Sequence, residues 1–154
     1  MTDDRILFKQ QIKSACEAII RERIENSKKA MSDAQASANN EEKSSAGDKY
    51  ETLRAMGHLD KDMHARQMNA HLRELSSLME INVNAILNVA GPGAFIRTGV
   101  TSYFLAAGLG KQRVVDKEII CLSVNAPLGQ LLNGKVTGET IQIGKKDVSI
   151  LEIF

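Results

Sequence analysis

Three carboxylates, Glu41, Glu42 and Asp48, crowd into the polar stretch Asn39–Asp48 beside Ser44 and Ser45. They are what any solvated hairpin turn contains, and Asp48 could simply favour the N-terminus of a following helix. The three histidines, His58, His64 and His71, are spaced six and seven apart. A zinc pair on one helix uses i,i+4, and no Cys or carboxylate cluster completes a four-ligand set, so these read as solvated helix residues. Cys16 and Cys121 lie in unlike segments and read as small core hydrophobes rather than a disulfide framework. No histidine follows His71 to activate Cys121 as a nucleophile. Gly91-Pro92-Gly93-Ala94 lacks the Lys-Ser/Thr of a phosphate loop and reads as a hinge.

The elements that must carry these residues differ between the two halves of the 154-residue chain. Residues 1–80 hold two of the 11 glycines, no proline, and 13 Lys/Arg against 14 Asp/Glu. Residues 81–154 hold the other nine glycines, both prolines, and 7 basic against 5 acidic side chains. Dense charge without helix breakers predicts long helices, whereas sparse charge with frequent glycine predicts strands and turns. In the first half, Phe8, Ile12, Cys16, Ile20, Ile24, Ser27, Met31, Ala34 and Ala38 step by fours and threes. That is a narrow coiled-coil stripe. A looser stripe runs through Leu53, Met56, Met63, Met68, Leu72, Leu75 and Met79. Two helices joined by a short polar connection pair antiparallel. Residues 1–80 are therefore expected to form an antiparallel helical hairpin with its tip at about 39–48, followed by a hinge over 81–93.

Residues 94–154 read as a small sheet domain. Val100–Ala107 and Glu118–Val124 read as strands, with a hairpin turn at Gly108-Leu109-Gly110. Ala126 to Gly134 reads as a short helix with Pro127 in its first turn and Gly134 just past its end. Thr140–Ile143, a turn at Gly144-Lys145-Lys146 and Val148–Ile153 close the domain as a hairpin. About four strands and one helix make an α+β fold.

Length excludes large barrels, which need roughly 250 residues, and no apolar run approaches the ~20 residues of a membrane span. With 20 basic and 19 acidic side chains, the net charge of +1 gives no footprint for sequence-specific nucleic-acid binding or an anionic membrane. The acidic start, Met1-Thr2-Asp3-Asp4-Arg5, reads as a helix N-terminus rather than a secretory signal, so a cytoplasmic location is expected.

Several segments together resemble the GreA/GreB family of transcript-cleavage factors. Ala126-Pro127-Leu128-Gly129, followed by Leu131-Leu132, Gly134-Lys135 and Gly138-Glu139, resembles the family's SPIG-x-ALLGK-x-x-GD stretch. Ile150-Leu151-Glu152-Ile153 is similar to its final strand, and Gly47-Asp48-Lys49-Tyr50-Glu51 to its NAEY segment. The resemblance implies an antiparallel two-helix coiled coil followed by a small FKBP-like antiparallel sheet domain with one short helix. It implies RNA polymerase as the partner: the sheet domain docks through Ala126, Pro127, Leu128, Gly129 and Leu131, and the hairpin enters the secondary channel. There Glu41, Glu42 and Asp48 would share the polymerase's Mg²⁺, the chain having no cofactor or catalytic residue of its own and acting as a monomer or weak oligomer. The family's acids precede NAEY as D-x-x-E. Aligned on Tyr50, those places hold Lys43 and Ala46; shifted by one residue, they hold Glu42 and Ser45. Two other classes stay open: a coiled-coil scaffold that pairs with another helix, and a prolyl isomerase. The latter wants an aromatic pocket, for which this half offers Phe95, Tyr103, Phe104 and Phe154.

Overall fold

A computed structural model describes residues 3–44 and 48–154 and shows an α+β protein. Two long helices, α1 (Asp4–Ser44) and α2 (Asp48–Glu80), precede six strands and one short helix. The strands are β1 (Phe95–Thr98), β2 (Ser102–Leu105), β3 (Gly110–Val114), β4 (Lys117–Leu122), β5 (Thr140–Ile143) and β6 (Lys146–Ile153), with α3 (Pro127–Leu132) between β4 and β5. The chain divides into two compact units, one of Ala18–Ser76 and one of Met1–Glu17 with Ser77–Phe154. Among the described residues, no helix is long and apolar enough to cross a membrane.

Helix α1 starts at an N-cap. The Asp3 carbonyl accepts from Leu7 N–H at 3.0 Å, and Asp3 Oδ1 accepts from Arg5 N–H at 2.8 Å. The Arg5 guanidinium also donates to the Asp3 carboxylate, and these bonds hold its pKa below the ordinary value. The helix then meets neither glycine nor proline along its length.

In the hairpin unit, α1 turns Ile20, Ile24, Ser27, Met31 and Ala34 inward in steps of four and three. The facing residues of α2 are Gly57, Lys61, His64, Met68, His71 and Leu75, again alternating four and three. Lys61 Nζ donates to Gln35 Oε1 at 2.9 Å, and Leu72 and Leu75 lie by Ile24, so numbering rises along α1 as it falls along α2. The pair is antiparallel with heptad spacing. The stripe expected on α1 is the one buried, whereas of the one expected on α2 only Met68 and Leu75, among its described side chains, lie on the seam. Met56, Met63, Leu72 and Met79 are exposed by 40 to 56%. They belong to neighbouring stripes, and the real seam passes through polar His64, Lys61 and His71, which a hydrophobicity pattern skips. The helices also run further than the expected tip at 39–48 suggests, α1 to Ser44 and α2 from Asp48.

The other unit is built on one sheet in the order β3-β4-β2-β1-β6-β5. Neighbouring strands are antiparallel except β2 and β4, which run parallel with Phe104 opposite Cys121. A bulge in β6 falls where Thr98 pairs Ile150 after Arg97 pairs Glu152. Helix α3 and residues Ala90 and Ala94 cover the face carrying Ile96, Tyr103, Leu105, Ile150 and Ile153, with Leu132 fully buried among them. The start of α1 covers the opposite face. Phe8 meets Phe95 edge-on at 5.2 Å between ring centroids, Phe95 stacks on Phe154 at 4.8 Å, and Cys16 reaches Cys121. The middle of the sheet, at Phe95, Ile96 and Tyr103–Leu105, is therefore buried on both faces.

Six strands rather than about four correct the sequence reading. Phe95–Thr98 forms β1 because Thr98 turns the chain: its N–H and hydroxyl both donate to the Thr101 carbonyl, at 3.0 and 2.6 Å. The expected strand Val100–Ala107 therefore shrinks to Ser102–Leu105. The hairpin turn lies at Val115 and Asp116, both with positive φ (51° and 59°), not at Gly108-Leu109-Gly110. There Ala106 N–H instead donates to the Leu122 carbonyl at 2.8 Å, prolonging the parallel ladder, and Gly110 opens β3.

Residues 81–93, read as a hinge, are bonded along their length. Lys13 Nζ donates to the Ile81 carbonyl at 2.7 Å, supplying the positive charge that the last turn of α2 lacks. Gln10 bonds Asn84 at 2.7 Å, Ala90 N–H donates to the Lys135 carbonyl at 2.8 Å, and Val83 is buried. Gly93 takes φ +88°, and a Cβ there would collide with the Asn82 carbonyl.

Candidate docking surface

The loop into α3 is shaped by backbone contacts. Ala126 N–H donates to the Ser123 carbonyl at 3.1 Å, and the extended Ala126 (φ −67°, ψ 152°) hands over to Pro127 in the first turn. Pro127 loses nothing there, because the first helical N–H groups have no intrahelical partner. Gly129 packs directly on Ser123, whose carbonyl a Cβ would overlap. Asn133 N–H closes the last turn on Gly129, and Gly134, at φ +85°, donates to the Ala90 carbonyl at 2.8 Å.

This geometry sorts the five residues expected to dock a partner. Pro127 and Leu131 are exposed, Leu131 by 37%. Ala126 and Leu128 are half-buried, Leu128 packing against the core, and Gly129 is buried. Of the five, Pro127 and Leu131 are thus the ones open to solvent, while Gly129 sets the shape of the loop. Val89 and Val136, joined as an isolated bridge just beyond α3, add two more exposed apolar side chains (49% and 40%). The sequence pattern missed that pair, because the bridge joins residues far apart in the chain.

Glu41 and Glu42 fall in the last turn of α1 and Asp48 is the first residue of α2. Their side chains lie outside the described residues. Among the described residues, no three His, Cys, Asp or Glu side chains gather into a group that could hold a metal ion.

His64 and His71 occupy the hairpin seam rather than its outer face, whereas His58 is exposed. His64 and His71 line an open groove of about 290 Å³ with Arg23, Asn26, Ser27 and Gln67. His64 Nδ1 is 3.2 Å from Gln67 Oε1. His71 Nδ1 is enclosed without a hydrogen bond, and Glu74 Oε1, 3.5 Å away, becomes an ion-pair partner only if the ring is protonated.

Two buried clusters under the start of α1 escaped the sequence reading. Lys9 is fully buried and donates to the Ala85 carbonyl at 2.8 Å, and burial lowers its pKa to about 8. Its position, three before Ile12 and seven before Cys16, is the signal that places it on the apolar stripe. Cys16 and Cys121, 1% and 0% exposed, bring their sulfurs to 3.7 Å. No spacing rule could announce that contact across 105 residues.

No protein-family model matches this chain, and no curated protein matches it significantly.

Proposed function

We propose that the chain is a Gre-like factor that binds bacterial RNA polymerase at its secondary channel and modulates elongation or transcript cleavage. The observation that carries this reading is the pairing of two long antiparallel helices, Asp4–Ser44 and Asp48–Glu80, in a chain that also holds a small sheet unit. From Ala18 to Ser44 the helix runs about 40 Å. Glu41, Glu42 and Asp48 sit at the closed end, where they would add oxygen ligands to the polymerase's own Mg²⁺. The sheet unit would serve as the FKBP-like docking module, with Pro127 and Leu131 as contacts. On this reading the chain has no active site of its own.

Co-purification with core RNA polymerase tests the assignment: binding at micromolar concentration is expected, and none at that concentration removes it. Leu131→Asp, exposed and so tolerated by the fold, is expected to weaken binding at least tenfold. In a stalled elongation complex, the Glu41→Ala/Glu42→Ala double variant is expected to change RNA cleavage, and unchanged cleavage takes these residues out of the mechanism.

A second reading has its own support. Met56, Leu59 and Met63 are exposed by 56, 66 and 40% and recur at i, i+3 and i+7 on α2. An unpaired helical stripe of that kind suits a further helix from a coiled-coil partner. Concentration-dependent association without polymerase affinity, read by sedimentation, would favour it.

A further inference from the structure

The only two cysteines of the chain meet in the buried layer between α1 and the sheet. Cys16 projects from the stripe that covers the sheet, and Cys121 stands in β4, opposite Phe104 of β2 and Gly110 of β3. We propose that Cys16 and Cys121 form a redox-active pair that a peroxide converts into an intramolecular disulfide joining α1 to β4.

The geometry carries this. The sulfurs are 3.7 Å apart, already in contact, so a bond of about 2.05 Å requires side-chain rotation and a small helix shift rather than refolding. Both thiols lie away from bulk solvent, so larger thiol reagents are excluded and a second chain cannot compete for either sulfur. The two groups are also unequal. The hydrogen bond between the two thiols lowers the pKa of Cys16, while the same contact and burial push Cys121 up. Cys16 therefore supplies the thiolate and Cys121 the resolving thiol.

The chemistry balances with hydrogen peroxide as the oxidant. The Cys16 thiolate attacks one peroxide oxygen, the O–O bond breaks, and the released hydroxide takes a proton to become water. Cys16 is left as a sulfenic acid. The Cys121 sulfur then attacks the Cys16 sulfur, the S–S bond forms, the S–O bond breaks, and the departing oxygen leaves as water with the Cys121 proton. Two thiols lose two electrons in total and one peroxide becomes two waters. Peroxide, close to water in size, reaches the pair through local opening of the α1 layer. The cross-link closes a loop spanning 105 positions. In the chain-entropy picture this lowers the unfolding equilibrium constant on the order of a thousandfold. The inference does not depend on polymerase binding.

The test treats the folded, full-length protein with hydrogen peroxide, blocks remaining thiols with iodoacetamide in denaturant, and measures intact mass. The expected product is a monomer lighter by two hydrogens with no alkylated thiol, reversed by dithiothreitol. Trypsin should release residues 14–21 joined to residues 118–135, and the thermal midpoint should rise on oxidation. Two alkylated thiols after hours of treatment would overturn the proposal, as would irreversible sulfinic acid without cross-link, or disulfide-linked dimers. In Cys121→Ala, dimedone added in denaturant after the peroxide should trap a sulfenic acid on Cys16. Should that variant not fold, the wild-type mass measurement decides alone.

Discussion

Replacing Lys9 by Met gives the sharpest test of the packing between α1 and the sheet unit. Lys9 is fully buried, and its one hydrogen bond goes to a neutral carbonyl, that of Ala85. Desolvation lowers its pKa from 10.5 to about 8. In the unfolded chain the amine keeps its ordinary value. Between pH 8 and 10.5 the unfolded state therefore holds a proton that the folded state has released. Raising the pH through that window favours the folded state. Below about pH 8 both states are protonated and the full desolvation cost persists; above about 10.5 both are neutral and it is gone. At about 1.36 kcal/mol per pKa unit, the whole effect is on the order of 3 kcal/mol. Lys9→Met keeps the length and apolar stem, and half-buried Ala85 can turn its carbonyl to water. Urea unfolding of both proteins at intervals from pH 7 to 11 reads the difference, since every other titrating group is common to them. The variant is expected to be at least as stable as the wild type at pH 7. The wild type should then gain up to about 3 kcal/mol on the variant by pH 10.5. Parallel stability curves, or a wild type that loses ground above pH 8, would refute the argument.

Two further substitutions probe the loop and the hairpin. Gly129→Ala adds a good helix former inside α3, which by propensity alone should stabilise it by roughly 1 kcal/mol. The overlap of its Cβ with the Ser123 carbonyl should reverse that sign and cost roughly 1–3 kcal/mol, seen as a lower thermal midpoint; an unchanged or raised midpoint would mean the loop yields freely. His71→Leu removes the enclosed, unbonded Nδ1 from the heptad seam and adds apolar surface, so a gain of about 1 kcal/mol is expected in urea unfolding. A loss of stability would show that the imidazole has a partner the seam requires.

Some of this molecule is determined within single segments. The stripe from Ile12 to Ser27, the absence of glycine and proline from α1, Pro127 with Gly134 around α3, and the final hairpin β5–β6 are all local signals. In each, one period or one backbone restriction outweighs the alternatives. The second seam was legible only at Met68 and Leu75, because helix packing selected Gly57, Lys61, His64 and His71 over the more hydrophobic residues beside them. The sheet likewise required long-range information. Gly108 and Gly110 look like a turn, yet the parallel pairing of β2 with β4 moved the turn to Val115-Asp116 and made a strand of Gly110–Val114. The carboxylates Glu41, Glu42 and Asp48 and the loop at Pro127 became candidate contacts only through the resemblance of their segments to a known family; residue type alone reads as a solvated turn and a helix cap. Which loop residues reach solvent was decided by the contact of Gly129 with Ser123 and of Leu132 with the core. Buried Lys9 and the meeting of Cys16 with Cys121 belong wholly to the tertiary structure. Burial and proximity come from which surfaces the chain brings together, and residues 76 or 105 positions apart carry no local trace of it.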